Sequence, residues 1–230
     1  MRMRKKKHGA ERLSALSHIV CNKPEKPYDN AFGCFGRGGQ LHLEIGCGKG
    51  GFACGMAQKY PEINFFAFEK ILDVIVAAAE KAECCKNERI TDNLRFAIGD
   101  AKDITEWFMP SSVDVLYLNF SDPWPKKKHA KRRLTSREFL ISFLELIKDG
   151  GMLKFKTDNR ALFDFTLSEL SEIGVEIADL TFDLHNSVYN EDNVMTEYER
   201  NFSEKGFPIN MLTVKVKKQS KGYESAVGGG

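Results

Sequence analysis

The fold of this chain is decided by residues 41–59, LHLEIGCGKGGFACGMAQK, where a strand-like apolar run leads through a glycine-rich turn into a helical pattern. We place the strand at residues 41–45 and the helix at residues 52–59. Gly46, Gly48 and Gly51 satisfy the spacing G-x-G-x-x-G. Because glycines let the backbone turn sharply and approach a ligand closely, this turn is typical of a ligand-binding edge in an α/β sheet.

The same alternation of apolar runs and helical patterns continues along the chain. Further strands are predicted at residues 64–68, 93–98, 113–120 and 151–156, and helices at residues 72–86, 104–108, 137–148 and 161–173. Two final strand-like stretches, 176–184 and 209–216, have no helical pattern between them, which suits an antiparallel pair. We expect an α/β fold with a mostly parallel seven-stranded sheet and an antiparallel C-terminal strand.

The composition fits one folded domain. The chain has 230 residues, of which 42% are hydrophobic and 29% charged, unlike a disordered chain. We divide it into a basic arm and glycine-rich approach (1–39), a main domain (40–216) and a polar tail (217–230) that we expect to be disordered. No run approaches the roughly 20 apolar residues of a membrane span, and the basic N-terminus leads into no apolar segment. We therefore expect a cytoplasmic protein with no membrane contact.

The six cysteines contain no C-x-x-C pair. Several fall in apolar periodic segments, where a free thiol behaves as a small hydrophobic group. We expect reduced thiols and no bound metal, and the pattern assigns the cysteines no role. It also does not decide between a monomer and a homodimer.

The formal net charge of +2 conceals a segregation of charge. Residues 2–7 hold five Lys or Arg, residues 126–133 (KKKHAKRR) hold six, and neither segment has an acid. Concentrated positive charge on an otherwise acidic chain indicates a docked polyanion, since neutralised phosphates release counterions. For either segment alone, a solvated lysine-rich face is the competing interpretation.

Three acids stand at the ends of three successive predicted strands: Glu44, Glu69 and Asp100. Glu69 lies at about the distance from the glycines at which a dinucleotide fold contacts a ribose hydroxyl, so a nicotinamide-dependent dehydrogenase is one interpretation. The carboxylate of Glu44, however, suits a cationic ammonium or sulfonium better than a pyrophosphate. Asp100 is placed to accept a hydrogen bond from an adenine amino group. Together the acids favour a pocket for S-adenosylmethionine, although each alone is more typical of an exposed loop, and the glycines also occur in plain tight turns.

A second set of polar residues follows the fourth and fifth predicted strands. Residues 119–129, NFSDPWPKKKH, supply an acid (Asp122), an aromatic ring (Trp124) and then the cationic run. This combination fits a base of a nucleic acid better than a small metabolite. Asp158 follows the fifth strand, either as a site residue or as a helix N-cap. Residues 196–200, TEYER, return acids and an aromatic ring toward the same edge.

Five segments together resemble the bacterial tRNA (guanine-N7-)-methyltransferase family. They are MRMR at 1–4, the glycine turn, LNFSDPWPK at 118–126, FKTDN at 155–159 and TEYE at 196–199, and the resemblance runs from residue 1 to about residue 216. It implies a Rossmann-like methyltransferase fold and transfer of a methyl group from S-adenosyl-L-methionine to a guanine in the variable loop of tRNA. The chain departs from the family pattern in two places. Asn201 stands where a basic residue is expected, and the tail after Val216 has no counterpart in the pattern.

The resemblance also implies roles for single residues. The cofactor-binding set is Glu44, Gly46, Gly48, Glu69, Asp100 and Asp122. The substrate-binding set is Lys126, Asp158, Thr196, Glu197, Tyr198 and Glu199. The RNA-contacting set is Lys128, His129, Lys131, Arg132 and Arg133.

Guanine N7 carries a lone pair and no proton, so its methylation requires no general base. We therefore expect Asp158, the candidate catalytic residue, to recognise and orient the base, with proton acceptance not required. Asp158 or Glu199 would distinguish guanine from adenine by accepting hydrogen bonds from its N1–H and amino group. The competing functions are an NAD-dependent oxidoreductase and a non-catalytic tRNA-binding protein.

Overall fold

The computed structural model describes residues 9–85 and 90–218. They form an eight-stranded sheet of order β1-β4-β3-β2-β5-β6-β8-β7. The strands are β1 Val20–Cys21, β2 Leu41–Ile45, β3 Asn64–Glu69, β4 Leu94–Ile98, β5 Val113–Asn119, β6 Ile147–Thr157, β7 Ile177–Thr181 and β8 Asn210–Lys215. The basic arm at residues 2–7 and the tail at residues 219–230 lie outside the described residues.

The strand directions confirm the predicted sheet, with one correction. β2 is central and pairs in parallel with β3 and β5, while β8 runs antiparallel to both β6 and β7. The prediction of seven strands is wrong, because β1 adds an eighth that pairs in parallel with β4. β1 has two residues, too few for any periodic pattern to show in a sequence.

Helices cover both faces of the sheet. The α-helices are α1 Gly9–Ala15, α2 Ala31–Phe35, α3 Gly51–Lys59, α4 Leu72–Cys84, α5 Ile90–Asn93, α6 Arg137–Leu146, α7 Arg160–Ile173 and α8 Glu197–Ser203. α3 and α4 pack on one face, and α6 and α7 on the other. Every residue of β2 is consequently buried, as expected of a central parallel strand. This arrangement leaves the carboxyl ends of the parallel strands open to a ligand.

Several predicted boundaries need correction. The helix expected at residues 104–108 is a 3₁₀ helix, Ala101–Glu106. α6 ends at Leu146 and β6 begins at once, so residues 147–150 belong to the strand and not to the helix or a turn. The connection between β7 and β8, expected to lack helices, holds α8 and the 3₁₀ helices Leu184–Asn186 and Val188–Asn190. Elements also form within residues 9–39, which the sequence suggested to be an approach to the domain.

All six cysteines are free thiols. Among the described residues, no helix has the length and apolar character needed to cross a bilayer. Within the same residues, no cluster of three or more His, Cys, Asp or Glu side chains is arranged to hold a metal ion.

Candidate active site

The carboxyl ends of β2, β3, β4 and β5 border one cleft of about 810 Å³. Its lining includes Gly46, Glu69, Asp100 and Asp122, one residue from each strand end. These four predicted cofactor residues come from positions up to 76 apart in the chain and are brought together by the parallel sheet. The predicted convergence of acids at one sheet edge is therefore present, with the exception of Glu44.

The glycine turn begins the cleft. Gly46 has φ 80° and Gly48 has φ 55°, conformations that a residue with a Cβ rarely adopts. The backbone N–H of Gly48 donates to Glu69 Oε2 at 3.1 Å, and that of Ile71 donates to Glu69 Oε1 at 3.0 Å. Glu69 therefore fixes the turn against the start of α4 while its side chain stays at the cleft wall.

Asp100 closes another side of the cleft. It caps the 3₁₀ helix Ala101–Glu106 by accepting from the Lys102 backbone N–H at 3.2 Å, and it pairs with Lys70 at 2.8 Å. The hydrogen bond from Lys70 is the main cause that lowers the pKa of this carboxyl. Asp100 is thus held ionised, which suits acceptance of a hydrogen bond.

Glu44 lies in β2 but does not line this cleft. Its side chain is on the opposite face of the strand from Ile45 and is 5% exposed. Oε1 accepts a hydrogen bond from Asn119 Nδ2 at 2.9 Å, whereas Oε2 has no hydrogen-bond partner among the described residues. Burial raises the pKa of Glu44 to about 7. A buried carboxylate oxygen without a donor is costly unless a ligand supplies one, so this atom suits a cationic group.

The loop after β5 carries Asp122 in an exposed position. Two of its residues other than glycine, Phe120 (φ 50°) and Trp124 (φ 39°), have left-handed backbone conformations. The 3₁₀ helix Lys127–Arg132 folds back onto the loop. His129 contacts the Trp124 ring edge-on at 5.7 Å between centroids, and the Arg132 guanidinium lies 5.1 Å from the centroid of the same ring.

The other members of the basic run lie in different environments. Lys126 and Lys128 are exposed, and Lys131 forms an exposed ion pair with Glu138 at 3.6 Å. The Arg133 guanidinium instead donates to backbone carbonyls of the Asp122 loop. The predicted RNA-contacting set therefore includes cations that face solvent and one that faces the protein.

Asp158 follows β6 and is half-buried. It is not the N-cap of α7, because Asn159 Oδ1 accepts from the Leu162 backbone N–H at 2.8 Å. Burial, followed by the charge of Asp158 and a hydrogen bond to it, raises the pKa of Tyr198. Tyr198 also packs against Phe120, with 5.2 Å between ring centroids. Asp158 therefore does not cap the helix, and beside its hydrogen bond with Tyr198 its carboxylate keeps the capacity to accept another.

The predicted substrate residues of α8 have divergent environments. Thr196 and Glu199 form a reciprocal capping box at the start of α8. Glu197 is half exposed and pairs with Lys81. Glu199 is fully buried and accepts hydrogen bonds from Lys156, His185 and Asn193.

Neither Asp158 nor the residues of α8 line the cleft described above. Phe120, which does line it, touches Tyr198. The cofactor and substrate sets are therefore adjacent and meet at this pair of rings.

Two residues of this region were missed by the sequence analysis, Asn119 and Lys156. Asn119 holds Glu44, and Lys156 is buried with its ammonium against Glu199. The sequence gives no signal that singles out Lys156, because Lys154 lies in the same strand and on the same face but is only half-buried.

Known proteins similar to this chain agree with these observations. Residues 39–212 match a family model described as "Putative methyltransferase". A tRNA (guanine-N(7)-)-methyltransferase from Lachnoclostridium phytofermentans is 46% identical over 204 residues, which cover 89% of this chain and 94% of that protein.

Two solved structures share the fold at low sequence identity. A 16S rRNA methyltransferase, KamB, superposes with a TM-score of 0.61 at 14% identity, covering 87% of this chain and 99% of that one. An antibiotic-related methyltransferase has a TM-score of 0.59 at 18% identity, covering 84% and 97%. The high identity along almost the whole length, together with the family model, leads to one conclusion: this chain belongs to the tRNA (guanine-N(7)-)-methyltransferase family.

Proposed function

We propose that this protein transfers a methyl group from S-adenosyl-L-methionine to N7 of a guanine in the variable loop of tRNA. The observation that carries the proposal is the buried Oε2 of Glu44, which has no hydrogen-bond partner within residues 9–85 and 90–218, beside a glycine turn whose cleft is lined by Glu69 and Asp100. A cation, a ribose and an adenine amino group each have a matching acceptor there. We place the reaction in the cytoplasm.

The acceptor groups in the cleft, together with Glu44 beside it, fit this cofactor. Glu44 would hold the cationic amino-acid end, since a cation restores the charge balance that burial disturbs. Glu69 would accept from the ribose hydroxyls and Asp100 from the adenine amino group. The full set that we propose to hold the cofactor is Glu44, Gly46, Gly48, Glu69, Asp100 and Asp122.

Family membership and this charge arrangement disfavour the NAD-dependent oxidoreductase. A dinucleotide would bring a pyrophosphate toward the glycine turn, where Glu69 and the ionised form of Glu44 place negative charge. Helix N-termini bind phosphates well, but two neighbouring carboxylates oppose that preference.

When bound, S-adenosylmethionine supplies an electrophilic methyl group on a sulfonium centre. Transfer of that methyl group to guanine N7 would break its bond to sulfur, and sulfur would keep the electron pair. The positive charge thereby moves onto the purine, and no proton is transferred. Asp158 and Asp122 would stabilise this charge as it develops. A carboxylate about 4 Å from a unit charge contributes up to ~4 kcal/mol at an effective dielectric constant near 20.

Asp158 is the strongest candidate for a direct contact with guanine. It is half-buried, is not used as a helix cap, and lies next to the Tyr198 ring that touches the cleft lining. Lys126, Thr196, Glu197 and Tyr198 complete the proposed substrate set. For Glu199 the burial and the Lys156 pair favour a positioning role, in which it holds the start of α8 against the sheet.

Lys128, His129, Lys131 and Arg132 are proposed to meet the RNA. These four residues lie on or beside the loop that carries Asp122, and the exposed cations among them suit phosphates. Trp124, placed between His129 and Arg132, would then mark the border between phosphate contacts and the reacting base.

The test is incubation with labelled S-adenosylmethionine and bulk tRNA, followed by nucleoside analysis. We expect label in 7-methylguanosine and none in a transcript whose variable-loop guanines are replaced by adenine. Label in another nucleoside would overturn the proposed substrate. Binding of tRNA without transfer would favour the non-catalytic alternative. In a parallel melting experiment, S-adenosylmethionine should raise Tm and NAD should not.

A further inference from the structure

The loop that carries Asp122 has an unfavourable backbone. Phe120 and Trp124, on either side of Asp122, both have positive φ, at 50° and 39°. Residues with a Cβ adopt this conformation only where surrounding structure imposes it. A specific contact must therefore hold the loop in this form.

Arg133 supplies such a contact. Its Nε donates to the Pro123 carbonyl at 3.0 Å and its Nη2 donates to the Trp124 carbonyl at 3.1 Å. One planar guanidinium thus binds two consecutive carbonyls, including that of a left-handed residue. Among the described residues no backbone N–H donates to these two carbonyls, so the side chain of Arg133 satisfies both.

The same guanidinium also reaches α7. It lies 4.3 Å from the ring centroid of Phe165, in the second turn of that helix. α7 begins at Arg160, and its N-cap Asn159 directly follows Asp158. Arg133 therefore contacts both the segment with Asp122 and the helix that follows Asp158.

We propose that Arg133 is a positioning residue that clamps the Asp122 loop to α7 and so sets Asp122 relative to Asp158. This rests on the proposed function for the roles of the two acids, but the clamp itself is a property of the free protein. The basic run at residues 126–133 predicts an RNA contact for Arg133. Its two bonds to carbonyls and its ring contact instead occupy the guanidinium from within the protein.

The clamp requires arginine and not merely a positive charge. A lysine carries one ammonium and cannot bind two carbonyls in a planar fork while lying flat on a ring. Arg133→Lys should therefore behave like Arg133→Gln. An RNA phosphate contact would show the reverse, because lysine keeps the charge that a phosphate needs.

The experiment compares Arg133→Lys and Arg133→Gln with Lys128→Gln, an exposed cation of the same run. The first readout is the emission and near-ultraviolet circular dichroism of the protein without RNA. Trp107 is buried and 3% exposed, so Trp124→Phe identifies the part of the signal that comes from the loop. We expect both Arg133 variants to change the Trp124 signal and Lys128→Gln to leave it unaltered.

The second readout is turnover and tRNA binding across a salt series. We expect kcat to fall at least about tenfold in both Arg133 variants, while the log–log slope of tRNA binding stays at the wild-type value. An unchanged Trp124 signal together with a slope reduced by roughly 0.7 to 0.9 in Arg133→Gln would overturn the clamp in favour of a phosphate contact. Rescue of kcat by lysine would overturn it as well. If wild-type protein methylates no tRNA, the proposed function fails, and the Trp124 signal still decides the clamp.

Discussion

Lys156 and Glu199 form a buried ion pair, with 2.5 Å between Nζ and Oε2 and side-chain exposures of 7% and 0%. Lys156 also donates to Asn193 Oδ1 and the Val194 carbonyl, each at 2.9 Å. One ammonium on β6 therefore holds the connection that carries α8. Burial favours the neutral acid, but the charge of Lys156 and the hydrogen bonds to Glu199 outweigh it and hold the pKa of Glu199 below its usual value.

Removing one partner of this pair should be strongly destabilising. Glu199→Ala leaves the Lys156 ammonium buried without its counter-ion, and we expect a loss of about 3–5 kcal/mol in the free energy of unfolding. The double variant Lys156→Met, Glu199→Ala should lose less than the sum of the single variants Lys156→Met and Glu199→Ala. Urea denaturation of the four proteins measures this coupling. Simple additivity would show that the two side chains do not stabilise each other.

The same pair predicts a dependence of stability on acid. Because the folded pKa of Glu199 is lowered, its stabilisation is present above the unfolded value and is lost as pH falls through the folded pKa. Between about pH 5 and about pH 3, wild type should therefore lose more stability than the double variant. Thermal melts across this range provide the comparison, and parallel loss in the two proteins would contradict the assignment.

The fold could be predicted where it follows from short stretches of sequence. The strand, glycine turn and helix of residues 41–59 are contained in one local pattern, and Glu69 follows from its place at the next strand end. β1 could not be predicted, since two residues joined to β4 carry no periodicity.

The candidate site was likewise predictable from the sequence only in part. Glu199 and Arg133 were expected to face the substrate because their residue types and neighbours fit that role. The partner of Glu199 is Lys156, 43 positions earlier in the chain, and the partner of Arg133 is Phe165. Both partners belong to other elements of the fold. Whether a charged side chain faces inward or outward depends on such distant partners, which sequence spacing does not contain.

Glu44 should couple cofactor binding to pH. Its pKa is raised by burial to about 7, so the carboxylate that would hold a cation forms only as pH rises through that value. Titration calorimetry should show affinity for S-adenosylmethionine increasing from pH 6 to pH 8 in wild type and remaining weak at both in Glu44→Gln. Equal affinity in the two proteins would remove Glu44 from the pocket.

Glu44 should also make the stability of the cofactor-free protein depend on pH. As pH rises, the stability of wild type should fall while its affinity for the cofactor increases. A carboxyl whose folded pKa is raised loses stability as pH rises from the unfolded toward the folded value, by up to about 3 kcal/mol here. Glu44→Gln removes that charge. Without cofactor, its Tm relative to wild type should therefore increase between about pH 5 and about pH 8.

Asp158 and Asn159 are adjacent and offer a matched pair of variants. Asp158→Ala should reduce tRNA methylation at least about 10²-fold with cofactor affinity unchanged, the pattern expected when an interaction made in the transition state is removed. Asn159→Ala removes the N-cap of α7 and should cost roughly 1 kcal/mol of stability. Turnover and melting measured on both proteins separate the roles. If Asp158→Ala lowers the stability but not the turnover, Asp158 has only a structural role.

The exposed cations near Asp122 should control the salt dependence of tRNA binding. Lys128 and Lys131 lie in and beside the loop that we propose to meet RNA, and replacing both by Gln should reduce the log–log slope by roughly 0.7 to 0.9 for each phosphate that is no longer neutralised. The matched control replaces Lys215 and Lys217 by Gln, at the end of β8 on the opposite edge of the sheet.

Each double variant replaces one lysine that forms an ion pair, Lys131 with Glu138 in the first and Lys217 with Glu176 in the second. The two double variants therefore change net charge and the number of ion pairs by the same amount. Filter binding across a salt series should therefore separate local contact from total charge. Equal slopes in the two double variants would mean that the RNA docks away from residues 126–133, and the basic residues at positions 2–7 would then be the next cations to replace.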